Sequence, residues 1–134
     1  MKVSKYTLLL VFSLFPIQLF SNTYDCSKIK SEEDQIDALI QAVSEIKGTF
    51  IRNGEEHNAV DAAKHLRTKL ENAKKSPLSW GQKWTAAQFI DQLGTKSSVS
   101  GIPYEIKWND GKKTPSGPWL HGELKKIKTL CFSS

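Results

Sequence analysis

Long apolar runs are scarce in this chain of 134 residues. One occurs, Leu8 to Phe20, and it is shorter than the ~20 residues a membrane-crossing helix needs. Cysteine is scarcer still, with two in total, which excludes a scaffold stapled by several bridges. The residues before Cys26, Thr23-Tyr24-Asp25, are wrong for a lipoprotein box, so a lipid anchor there is not expected. No G-x-S-x-G elbow occurs, which removes the usual sequence mark of a serine hydrolase. No internal repeat or low-complexity tract is visible. Four of the eight glutamates cluster as adjacent pairs, Glu32-Glu33 and Glu55-Glu56, and neighbours in sequence point in different directions. That argues against a paired-carboxylate glycosidase. A large charge excess is also lacking: 19 Lys and Arg stand against 14 Asp and Glu, net +5. This suits weak attraction to anionic surfaces and does not indicate nucleic acid.

What is present begins with an export signal. Lys2 and Lys5 precede the apolar run, and small polar residues follow it, in the layout of a secretory signal peptide. Residues 1–21 are expected to be that signal. Cleavage is placed after Ser21, with Thr23 as an alternative, although no Ala-x-Ala is present. Residues 22–134 then form one domain with no stable membrane insertion. Lys2 and Lys5 leave with the signal. In an oxidising compartment Cys26 and Cys131, near the two ends of this domain, are most simply one disulfide. It would close nearly the whole domain into one loop and stabilise it by about 4–5 kcal/mol on the chain-entropy account. The alternative is two buried free thiols.

Periodicity predicts about four helices and one strand pair. Ile29, Ile36, Leu39, Ile40, Val43 and Ile46 recur at helical spacing between Ser27 and Lys47, with Ser31 as N-cap and Gly48 as stop. A second helix is expected from Asn58 to Lys75, with Ala59, Ala62, Ala63, Leu66 and Leu70 inward. A third is expected from Thr85 to Leu93, closed by Gly94. A last one starts near Pro118 and buries Leu120, Leu124, Ile127 and Cys131. Phe50-Ile51-Arg52, followed by the Asn53-Gly54 turn, and Tyr104 to Trp108 read as short strands. They are expected to pair with each other antiparallel. The fold class is therefore mainly α with a short two-stranded antiparallel element, a small single α+β domain.

Three segments carry a resemblance: FIRNGEEHNAVDAAKHLRTKLENA, TAAQFIDQLGTKSSVSGIPYEIKW and WLHGELKKI. Their most specific pieces are Phe50, Arg52-Asn53-Gly54, His57, His65-Leu66-Arg67, Lys69, Phe89-Ile90, Ser97-Ser98, Ser100-Gly101 and Tyr104. On these the chain resembles the YfeK-like family of small exported bacterial proteins, a DUF5329-type domain without an assigned function. The resemblance covers about residues 45–127 and leaves out the cysteines, Trp80 and Trp84. It implies a Gram-negative, periplasmic protein and no particular reaction.

Residue chemistry supplies the candidate site. His57, Asp61 and His65 recur every four residues and could ligate a metal, but Lys64 and Arg67 oppose a cation there. The plainer reading is a solvated face with one histidine at the helix start, and no metal or cofactor is expected. Arg52, Arg67 and Lys69 with Ser98, Ser100 and the backbone near Gly101 could hold an anion, since Arg offers carboxylates and phosphates a planar fork. The competing reading pairs Arg52 and Arg67 with Glu55, Glu56 or Asp61. A loop serine with His57 or His65 as base would make a small hydrolase. Trp80 and Trp108 suit a contact patch, whereas Trp84 and Trp119 suit the core. The lysines at 125, 126 and 128 read as a solvated face.

The sequence thus points to an exported periplasmic, non-catalytic binding or interaction module. Its candidate ligand residues are Arg52, Asn53, His57, His65, Arg67, Lys69, Ser98, Ser100 and Tyr104. The partner would be a small anionic or polar ligand or an envelope protein. A periplasmic Ser/His hydrolase and a purely structural envelope protein are the alternatives.

Overall fold

Asn53 and Gly54 both take positive φ, 50° and 80°. Two consecutive left-handed residues make the turn a two-residue hairpin needs. The turn joins β1 (Gly48–Arg52) to β2 (Glu55–Asn58), with Arg52 opposite Glu55 and Phe50 opposite His57. The computed structural model describes residues 24–133, so the expected signal segment lies outside the described residues.

Around this hairpin the chain runs α1 (Glu32–Ser44), β1, β2, α2 (Ala59–Lys75) and a 3-10 turn (Pro77–Ser79). Then follow α3 (Ala86–Phe89), which continues as a π turn (Ile90–Gly94), β3 (Glu105–Trp108), β4 (Lys113–Pro115) and α4 (Ser116–Phe132). The strands form one sheet in the order β2-β1-β3-β4, antiparallel throughout. This is a small, mostly helical α+β domain.

The expected strand pair is the centre of the sheet, with Phe50 opposite Ile106. The sheet is wider than the expected two strands. β2 is Glu-Glu-His-Asn and β4 is Lys-Thr-Pro, both poor in β-branched and aromatic residues. They form because each closes a tight hairpin on a well-formed inner strand, and as edges they tolerate polar residues and Pro115.

Alternation along the central strands separates two faces. Phe50 and Ile106 point inward and are buried with Ile36, Leu39 and Val43 of α1, Leu66 and Leu70 of α2, and Leu120 and Ile127 of α4. Thr49, Glu56 and Lys107 face outward and bond to one another across β1, β2 and β3. Gly48, expected as a helix stop, belongs to β1. A Cβ there would lie 2.3 Å from the Lys107 carbonyl oxygen, so only glycine lets the two strands approach.

Caps fix the helix starts. Ser31 and Asp34 form a capping box on α1, which starts later and ends earlier than the Ser27–Lys47 periodicity. Thr85 and Gln88 form another on α3, and Asn58 caps α2 through the Asp61 backbone N–H. Trp84, read from sequence as a core residue, lies just before the α3 cap and is buried. Trp108 and Trp119 are half-buried with ring centroids 6.3 Å apart, whereas Trp80 is 90% exposed.

Cys26 and Cys131 form a disulfide with Cα atoms 5.1 Å apart. Beside it the Tyr24 hydroxyl donates to Glu123, a buried carboxylate that also accepts from Lys126 at 2.6 Å. Among the described residues no helix is long and apolar enough to cross a membrane.

Two stability predictions follow from this packing. Gly48→Ala is expected to cost about 2 kcal/mol or more in denaturant unfolding, because the β1–β3 backbone must move. The double variant Cys26→Ser, Cys131→Ser is expected to lose about 4 kcal/mol, and the wild-type protein to show no alkylatable thiol before reduction.

Candidate functional site

The inner face of the sheet continues past its buried centre. Arg52 follows Phe50 by two residues, and Tyr104 precedes Ile106 by two, so both project on the side of α2. On α2, His65 and Lys69 are four residues apart and share one flank. The four side chains meet there.

Arg52 Nη1 lies 2.9 Å from His65 Nδ1 and 3.1 Å from Nε2. A guanidinium can only donate, so the ring must present a bare nitrogen and is neutral. His65 Nε2 is 3.4 Å from the Tyr104 hydroxyl. The Lys69 ammonium donates to Tyr104 Oη at 3.1 Å, to the Leu93 carbonyl at 2.7 Å and to the Lys96 carbonyl at 3.0 Å.

The Leu93 carbonyl lies at the end of the π turn, where buried backbone oxygens need donors from outside the helix, and the Lys96 carbonyl lies just beyond it. Lys69 satisfies Leu93, Ser116 Oγ donates to the Gly94 carbonyl at 2.6 Å, and Thr95 Oγ1 donates to Ile90 at 2.8 Å. Lys69 therefore ties α2 to the start of the serine loop.

Burial and like charge act together on these groups. Burial, then Arg52, lowers the Lys69 ammonium to about 8. Burial, then Arg52, Lys69 and His57, lowers the His65 imidazole. Burial raises the Tyr104 phenol, and Arg52 opposes part of that rise. No carboxylate pairs with Arg52 or Lys69 among the described residues. This is a half-buried cluster of donors with positive charge and no counterion.

Two cavities adjoin the cluster and share Arg52, His65 and Tyr104 as a common wall. One, about 320 Å³, lies toward the start of α2 and adds Phe50, Ala62 and Leu66, with His57 and Asp61. The other, about 640 Å³, lies toward the end of α2 and adds Asn53, Lys69, Asn72 and Ser98. Ser100 lines neither; its hydroxyl donates to Asn53 Oδ1 at 2.6 Å and straps the serine loop to the hairpin. That bond leaves the Asn53 amide N–H groups free to face the cavity.

Arg67 departs from the sequence expectation. It pairs with Asp37 of α1, away from both cavities. Nor does either arginine take Glu55, Glu56 or Asp61. Glu56 bonds Lys107 and Asp61 bonds Asn58. His57, Asp61 and His65 line one cavity, yet no three metal-ligating side chains converge among the described residues. Asn72 was missed from sequence. It lies three residues beyond Lys69 and seven beyond His65, and that helical period was the available signal.

A family model described as a family of unknown function, DUF5329, matches residues 30–128. The chain belongs to the DUF5329 family. It is 42% identical over 74 residues to the uncharacterized protein YfeK of Salmonella typhimurium (strain LT2), which is 54% of this chain. The match takes in 57% of that relative, so the chain spans little more than half the relative's length. No solved structure matches. Every residue lining the two cavities beside Arg52 lies inside the matched stretch of this DUF5329 chain, whereas Cys26 and Cys131 lie outside it.

The electrostatics give a direct test. His65 is expected to titrate below its ordinary 6.5 in an NMR pH series. The unfolded chain then binds this proton more readily than the folded one. The His65 contribution to stability is therefore complete above 6.5 and lost as pH falls through the folded value. Arg52→Gln is expected to move the midpoint back up toward 6.5.

Proposed function

We propose that this protein is exported to the periplasm and acts there as a non-catalytic binding module for a small anionic or polar ligand. The observation that carries the reading is Arg52: a half-buried guanidinium held against a neutral histidine, with no carboxylate partner among the described residues. Desolvated cations without counterions are costly to maintain, and an incoming anion relieves that cost. Arg52 and the free Asn53 amide can donate to it, Ser98 offers a hydroxyl, and Tyr104 forms a wall. Lys69 adds field rather than a hydrogen bond.

Export is supported by Lys2, Lys5 and the apolar run behind them, and by a disulfide that suits an oxidising compartment. Membership of the DUF5329 family assigns no activity. The serine hydroxyls also favour binding over hydrolysis. Ser100 is committed to Asn53, and Ser97 accepts from the Ser100 backbone. No serine hydroxyl is hydrogen-bonded to a histidine among the described residues.

Isothermal titration of the mature protein with phosphate, sulfate, acetate and a small amine tests the reading. At least one anion is expected to bind and the amine not to. Arg52→Gln is expected to weaken the anion by about tenfold or more, the loss of one charge-assisted hydrogen bond. Equal anion binding by wild type and variant would sink the proposal.

A further inference from the structure

The two cavities beside Arg52 differ in character, and that difference limits what the site can hold. The smaller is walled by Phe50, Ala62, Leu66 and the Tyr104 ring, all of them buried. An inorganic anion held at Arg52 would leave this apolar half unfilled. We propose that the ligand is a monocarboxylate with a compact apolar body. The body fills the apolar cavity and the carboxylate lies against Arg52. This rests on the binding reading above and narrows it to one chemical class.

Two further observations point the same way. The first is size. The apolar half measures about 320 Å³. An apolar cavity of about 150 Å³ takes up benzene, and ligand cavities in general span about 300–1,000 Å³. A phenyl ring or a branched alkyl group fits there, and a long acyl chain does not. The second is charge. Asp61 and Lys64 both line this cavity and offset one another, which leaves the Arg52 guanidinium as the uncompensated charge for a single carboxylate.

The test is isothermal titration of the mature, disulfide-bonded protein with 3-phenylpropionate, acetate, phosphate and 3-phenylpropan-1-ol. The phenyl acid is expected to bind at least about tenfold tighter than acetate, from the apolar area it buries. Arg52→Gln is expected to remove its advantage over the alcohol. Thr68→Trp places a bulky ring on an exposed α2 position that lines the apolar half. This variant is expected to bring phenyl-acid affinity down to that of acetate. Wild-type methyl NMR needs no variant: Leu66 and Ala62 methyls are expected to shift with the phenyl acid and not with acetate. Acetate or phosphate binding as tightly as the phenyl acid, or still methyls, overturns the ligand class while the anion reading stands. Absence of binding by every anion overturns both.

Discussion

The register between β1 and β3 is the constraint on which the rest depends. With Phe50 set opposite Ile106, alternation sends Arg52 and Tyr104 to the same side as the core, just beyond its edge. A slip of one residue would turn Ile51 inward and swing Arg52 to the solvent face. Gly48 permits the close approach to Lys107 that this register needs, and the Asn53-Gly54 turn separately fixes β2 on the other side of β1. The helices then only have to cover the sheet for His65 and Lys69 to land on Arg52 and Tyr104.

That convergence has an energetic cost that the core must offset. Two cations and a neutral imidazole share a partly dry space, and burial together with the Arg52 charge depresses the protonation of His65 and Lys69. Apart from Lys126 with the buried Glu123, the ion pairs among the described residues are opposite-charge contacts on the surface, such as Lys107 with Glu56 and Lys74 with Glu33. The Arg52 cluster departs from that pattern. Perturbed groups gathered at a concavity are the usual physical mark of a functional site.

Much of this was legible in the sequence, and the failures have physical reasons. Ser31, Asn58 and Thr85 announced their helices because a cap is local chemistry, read from a few consecutive residues. The central strand pair was legible from alternation. β2 and β4 were not, since their residues do not favour strands and tertiary pairing overrides them. Arg67 was placed with the candidate site although it lies two residues from His65 on a helix, about 200° round the axis. Helical geometry alone turns it toward α1 and Asp37. Ser100 was read as a ligand donor, but the bond it makes with Asn53 depends on how two distant loops approach. That information is absent from any short window of sequence. The expected signal segment lies outside the described residues.

Lys69 has a consequence for chemistry as well as for shape. A lysine whose protonation is depressed toward neutrality is ordinarily a candidate for covalent work, as an amine that attacks a carbonyl. Here two backbone carbonyls and a phenol occupy all three N–H positions. Freeing the amine for attack on an aldehyde or ketone would release the end of the π turn and unmoor the serine loop. The same contacts that hold the groove together therefore keep its most reactive nitrogen out of Schiff-base chemistry.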